Sequence, residues 1–206
     1  MDHDLPEDEM QKKYSKIVKQ VLGEDFIEVH ISQFILKEDI QNSCSQISCF
    51  LTLKNGSKDS ILIEGSGNGM VDALFNSIID EMSSKYQSLS DIEFGDFALK
   101  VKFKESMGWR KSDAPVEIRL ALRNSRSKRL YFKAKSGSLV GTTIIVMQQA
   151  FEYLINAELA VIHLHQDIQN AKERNRTDLI MHYTQQLTEL VRIVSYEQTI
   201  KSLRAP

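Results

Sequence analysis

Residues 64–82 read EGSGNGMVDALFNSIIDEM, and a change of period inside this stretch decides the fold. After Gly69 the apolar residues Val71, Leu74, Phe75, Ile78, Ile79 and Met82 fall at i, i+3, i+4, i+7, i+8 and i+11, the single stripe of an amphipathic α-helix. Before Gly65 the pattern is that of strands: Phe26 to Leu36 alternates in part, and Ile47 to Leu53 and Ser60 to Ile63 flank the hairpin signal Asn55-Gly56. The stripe of the helix must cover one face of these strands, which makes a βββα unit. Ahead of it, Met10, Tyr14, Ile17, Val18 and Val21 recur at helical spacing, with Gly23 as the stop.

The same order then returns. Ile92 to Phe103, Val116 to Leu122 and Leu130 to Ala134 read as strands, and Ile144, Met147, Phe151 and Leu154 as a helix face. Leu51-Thr52-Leu53-Lys54-Asn55-Gly56 aligns with Leu120-Ala121-Leu122-Arg123-Asn124-Ser125 at an offset of 69, Gly67 with Gly137 at 70, and Lys37-Glu38 with Lys104-Glu105 at 67. Three matches in order at nearly constant offset indicate an internal repeat. The expected fold is therefore α+β, with two pseudo-repeated βββα units packed as a pseudo-twofold pair, each covering the other's apolar surface. A break at Arg174-Asn175-Arg176-Thr177 and the spacing of Ile180, Tyr183, Leu187, Leu190 and Val194 add a C-terminal helical hairpin. This divides the chain into an acidic leading segment and helix at 1–23, a domain at 24–158 (repeats 24–88 and 89–158), and a helical extension at 159–206.

With 206 residues, 42% hydrophobic and 26% charged, the chain has the composition of a folded globular domain. A (β/α)₈ barrel with an appended domain is excluded, because the barrel alone takes about 250 residues. No apolar run reaches the roughly 20 residues of a membrane-spanning helix, and Met1 to Glu9 is acidic where a signal peptide is basic, so a cytoplasmic location and a natural start are expected. Cys44 and Cys49 lack partners at metal-ligand spacing and read as free thiols. The net charge of -2 conceals an asymmetry: residues 100–135 hold 12 Lys/Arg against 3 Asp/Glu. Alternating Lys and Arg on the solvated face of strands account for this; a nucleic-acid surface is the less favoured reading.

Catalytic signals are poor. His163 and His165 sit on a helix at i and i+2, about 200° apart, and cannot share a metal. His182 lies on the next helix without a carboxylate or cysteine to complete a set, and neither a catalytic residue, a metal site nor a cofactor is expected. The Gly-rich turn is the informative segment. It lacks the Walker Lys-Ser/Thr pair, and Met70 stands where G-x-G-x-x-G spacing needs glycine. First-turn N–H groups favour a carboxylate, and Asp72 beside them could cap the helix or accept an ammonium group, a pairing suited to a zwitterionic amino acid.

Gly67-Asn68-Gly69-Met70-Val71-Asp72-Ala73-Leu74 resembles the G-N-G-P-V-D-A-L segment of the C-terminal regulatory domain of the alpha-isopropylmalate synthase and citramalate synthase family. Asp91-Ile92-Glu93-Phe94 to Phe103, Ser112-Asp113-Ala114-Pro115-Val116 and Val140-Gly141 resemble further family segments in order, over about Phe26 to Glu158. Met70 replaces the family's proline, and the helices after Ala160 have no counterpart. The resemblance implies a non-catalytic homodimeric domain that binds leucine or another branched-chain amino acid as a feedback effector, with the chemistry in a separate catalytic synthase subunit. The effector residues so implied are Gly67, Asn68, Gly69, Val71, Asp72 and Ala73, with Asp113, Ala114, Val140 and Gly141 from the second unit. Two alternatives stand beside it: a dimeric scaffold of the same fold without a ligand, and, less favoured, a double-stranded-RNA-binding module suggested by the α-β-β-β-α order from Met10 to Met82.

Overall fold

A computed structural model describes residues 7–55, 57–101, 115–124, 129–191, 193, 194 and 199. Helix α1 (Glu7–Leu22) leads into β1 (Glu28–Asp39), β2 (Cys44–Asn55), β3 (Ser57–Gly67) and α2 (Met70–Met82). A short 3₁₀ turn (Gln87–Asp91) then connects to β4 (Glu93–Val101), β5 (Val116–Arg123), β6 (Arg129–Ser136), α3 (Leu139–Glu173) and α4 (Thr177–Leu190). The strands form two three-stranded antiparallel sheets, β1-β2-β3 and β4-β5-β6. The chain is thus α+β, with the βββα order present twice.

The repeat offset of 69 is in register with the structure. Leu51 and Leu120 are paired across their strands with Ile61 and Phe132 respectively, and both are fully buried on the central strands. Helix α2 covers β2 and β3, and α3 covers β5 and β6. The Phe75 ring of α2 meets Phe94 of β4 at 5.4 Å and Phe151 of α3 at 5.9 Å, so one apolar core runs through both units.

Helix α3 is the longest element. It continues from its packing on sheet β4-β5-β6 through Leu164 and Ile168, so the helix that ends the second repeat runs on without interruption past residue 158. The chain reverses at Arg174–Arg176, where Asn175 adopts φ +53°, and α4 returns against α3. Lys13 of α1 meets Glu189 of α4 at 2.9 Å.

The outer edge of β1 is closed by side chains of α3. The N–H groups of Ile27, Val29 and Ile31 donate to Asn156 Oδ1 (2.8 Å), Glu152 Oε2 (3.0 Å) and Gln148 Oε1 (3.2 Å). Four residues of helix rise about 6.0 Å and two residues of strand about 6.8 Å, so the two ladders nearly match and drift apart by roughly 1.6 Å over two rungs. The drift is met by the longer Glu and Gln side chains and by the lengthening bonds. Beyond Ser32 the β1–β2 register slips, with Gln33 at φ +50°, and the ladder ends. The edge of β6 receives a similar contact: the Tyr131 N–H donates to Gln11 Oε1 of α1 at 3.3 Å.

Candidate functional site

The turn from β3 into α2 carries the motif. Residues 61, 63, 65 and 67 share the helix-facing side of β3 by the two-residue period, and the last two are glycine. A Cβ on Gly65 would overlap Ser77 Oγ, and one on Gly67 would lie 2.5 Å from Asp72 Oδ2 and 2.7 Å from the Ala73 nitrogen. These two glycines let α2 lie close against the strand. Gly69 is different: its backbone is extended, and nothing lies within 4 Å of where its Cβ would sit.

Asp72 stands three residues after Gly69, the residue that opens the helix. Its Oδ2 accepts the Asn68 N–H at 3.0 Å and its Oδ1 accepts from Asn76 Nδ2 at 2.8 Å. The reach-back resembles one half of a capping box and places a negative charge at the positive end of the helix. Ala73 N–H donates to Gly69 O at 2.9 Å, and Ala73 is buried whereas Val71 is half-buried. Gly67 to Ala73 therefore form one compact turn with Asn68 and Asp72 at its surface.

Val140 and Gly141 sit in the first turn of α3, which is capped otherwise. Ser138 Oγ accepts the Gly141 N–H at 3.1 Å, and Thr142 Oγ1 donates to Ser138 O at 2.6 Å. Among the described residues no hydrogen bond joins this helix start to Gly67–Ala73. Asp113 and Ala114 lie outside the described residues. Among the described residues, surface grooves open between α1, β6 and α3, beside Glu64–Ser66 on sheet β1-β2-β3, and between α1, α3 and α4; none of these is lined by the described members of the expected effector set.

The histidines do not converge. His163 Nε2 faces Asp25 Oδ2 at 4.0 Å, and His182 packs on Tyr183. Among the described residues no group of three His, Cys, Asp or Glu side chains is placed to hold a metal ion. Cys44 and Cys49 are both free thiols; burial pushes the Cys49 thiol up to about 11, so it stays protonated and unreactive.

Three features escaped the sequence reading. The first is the Asn156–Glu152–Gln148 ladder, whose only signal was polar residues at steps of four within an otherwise apolar helix. The second is Glu158, 2% exposed, which accepts the N–H groups of Gln87 (3.1 Å) and Ser88 (3.0 Å) and the Ser88 hydroxyl, and so fixes the connection between the two units. Burial raises its carboxyl above the ordinary value, opposed by the Ser88 and Gln87 hydrogen bonds. The third is a groove of about 900 Å³ between α1, β6 and α3, rimmed by Lys12, Lys16, Lys19 and Lys133 and walled by Phe26 and Tyr153. No protein-family model matches the chain, and no curated protein matches it.

Proposed function

We propose that the chain is a non-catalytic regulatory domain that dimerises and binds a branched-chain amino acid at the β3–α2 turn, in the manner that its resemblance to the alpha-isopropylmalate synthase regulatory domain implies. The observation that carries this reading is Gly69. Packing accounts for Gly65 and Gly67, whereas the open space at Gly69 and its extended backbone leave the start of α2 accessible to a small ligand. The first-turn N–H groups would receive the effector carboxylate, and Asp72, exposed and one turn into the helix, would receive its ammonium group. The pseudo-twofold pairing of the two units and the homodimer belong to the same proposal. Exposed Leu99 and Val101 of β4 lie in line with buried Ile118 and Val116 of β5, an apolar sheet margin that a second copy would cover.

The direct test is isothermal titration against leucine, isoleucine and valine, with Asp72→Ala alongside. Binding lost in Asp72→Ala while the dimer persists supports the reading; no heat from any of the three at millimolar concentration rejects it. A second reading, a dimeric scaffold without an effector, is favoured by the engagement of both Asp72 oxygens with Asn68 and Asn76. It predicts a dimer whose thermal midpoint is unmoved by any of these amino acids.

A further inference from the structure

Two basic segments far apart in sequence meet at the edge of β6, and from this we infer that they form one surface for single-stranded nucleic acid. The first segment is the outer face of sheet β4-β5-β6. Alternate residues of β5 and β6 (Ile118, Leu120, Leu122; Leu130, Phe132, Ala134) are buried beneath α3, which turns Arg119, Lys133 and Lys135 to the opposite side, with Lys100 beside them on β4. Glu117 is shared by Arg119 (3.4 Å) and Lys133 (3.3 Å), so one carboxylate is divided between two cations and the face keeps a positive surplus. The second segment is α1, where Lys12, Lys16 and Lys19 are spaced i, i+4 and i+7 and share one side of the helix.

The groove between α1 and β6 joins the two. Lys12, Lys16 and Lys19 form one rim, and Lys133 with Tyr131 the other. Between the rims the walls are mainly apolar, with Phe26 and Tyr153 among them, and Lys19 Nζ lies 5.5 Å from the centre of the Phe26 ring. Glu152, the acid among the groove's described residues, already accepts the Val29 N–H. Cations along both rims suit a phosphate backbone, and aromatic walls between them suit unpaired bases, which stack on such side chains whatever their identity. A duplex keeps its bases inside the stack and cannot use those walls. This surface is separate from the β3–α2 turn, so its failure would leave the effector reading untouched.

The test is fluorescence anisotropy of the full chain with labelled oligouridylate and oligothymidylate of about 12 nucleotides. With roughly four phosphates engaged, the slope of log K on log salt is about -3, so affinity falls about fifty-fold between about 50 and 200 mM salt. Lys16→Glu and Lys133→Glu, each on an exposed side chain, should each weaken binding about tenfold and flatten the salt slope, whereas Lys54→Glu on the other sheet should change neither. Tyr131→Ala should weaken binding and Tyr131→Phe restore it. Circular dichroism melts of each variant separate lost binding from lost fold. No anisotropy change at low salt with about 10 μM protein overturns the inference, as does binding that ignores both charge reversals in folded protein. Equal affinity for duplex overturns the single-strand assignment, and displacement by polyglutamate as effective as by oligonucleotide overturns nucleic acid in favour of an acidic protein.

Discussion

Asn156→Ala tests the closure of the β1 edge most sharply. The Asn156 amide is fully buried; its Oδ1 accepts the Ile27 N–H at 2.8 Å, and its Nδ2 donates to Ile27 O at 2.7 Å and to Glu152 O at 2.8 Å. Alanine leaves both polar groups of the Ile27 backbone buried without a partner. Each orphaned group costs about 1–3 kcal/mol, and the vacated volume adds to this, for a total of about 3–5 kcal/mol. At the other end of the ladder Gln148 makes a 3.2 Å bond in a half-buried position where water can replace it, and Gln148→Ala should cost less than about 1 kcal/mol. Glu152→Ala should fall between. Urea unfolding followed by circular dichroism reads the order directly: with a slope near 2 kcal/mol per molar, Asn156→Ala should lower the midpoint by about 2 M at unchanged slope. If Asn156→Ala moved the midpoint no further than Gln148→Ala, the ladder would not be what closes the edge, and packing of α3 alone would suffice.

Three further outcomes are expected. Gly67→Ala forces a methyl against the Ala73 backbone nitrogen and should cost about 1–3 kcal/mol in the same urea assay, whereas Gly69→Ala, with open space at its Cβ, should stay within about 0.5 kcal/mol. Among the described residues the buried Tyr153 hydroxyl has no hydrogen-bond partner, so Tyr153→Phe should leave stability unchanged or raise it, by about 1 kcal/mol at most, as read by the thermal midpoint. Glu158 has a folded-state pKa above its unfolded one, so the folded chain binds the extra proton; its contribution is most favourable below the ordinary carboxylate value and is lost as pH rises through the folded value. Wild-type stability minus that of Glu158→Gln should therefore decline between pH values near 4 and 7, and urea midpoints at the two pH values measure it.

The pattern of residues 64–82 was sufficient for α2, since its stripe keeps a clean helical period over β2 and β3 even though Phe75 also reaches Phe94 of β4 and Phe151 of α3. The offset of 69 placed Leu51 and Leu120 correctly because a central strand buried on one side leaves an alternating trace. Helix α3 was legible only in pieces. It touches sheet β4-β5-β6, the edge of β1, α1 and α4, so apolar and bonded polar residues are distributed around it and no single stripe marks its course. The Gly-rich turn was visible as a turn, but its glycines looked alike; packing against Ser77 and Ala73 separates Gly65 and Gly67 from Gly69. The meeting of the α1 lysines with those of β6 depends on tertiary packing, which no local pattern encodes.

The ladder that closes β1 also sets an order on the birth of the protein. Its acceptors lie 117 to 129 residues downstream of the amides they satisfy. When the first βββα unit has left the ribosome, β1 still carries an unsatisfied margin, open to pairing with the same strand of a neighbouring nascent chain. The first unit on its own is thus expected to leave this edge open. A chain stopped after residue 88 should associate through β1, and chaperone demand should end only once α3 has been synthesised and docked.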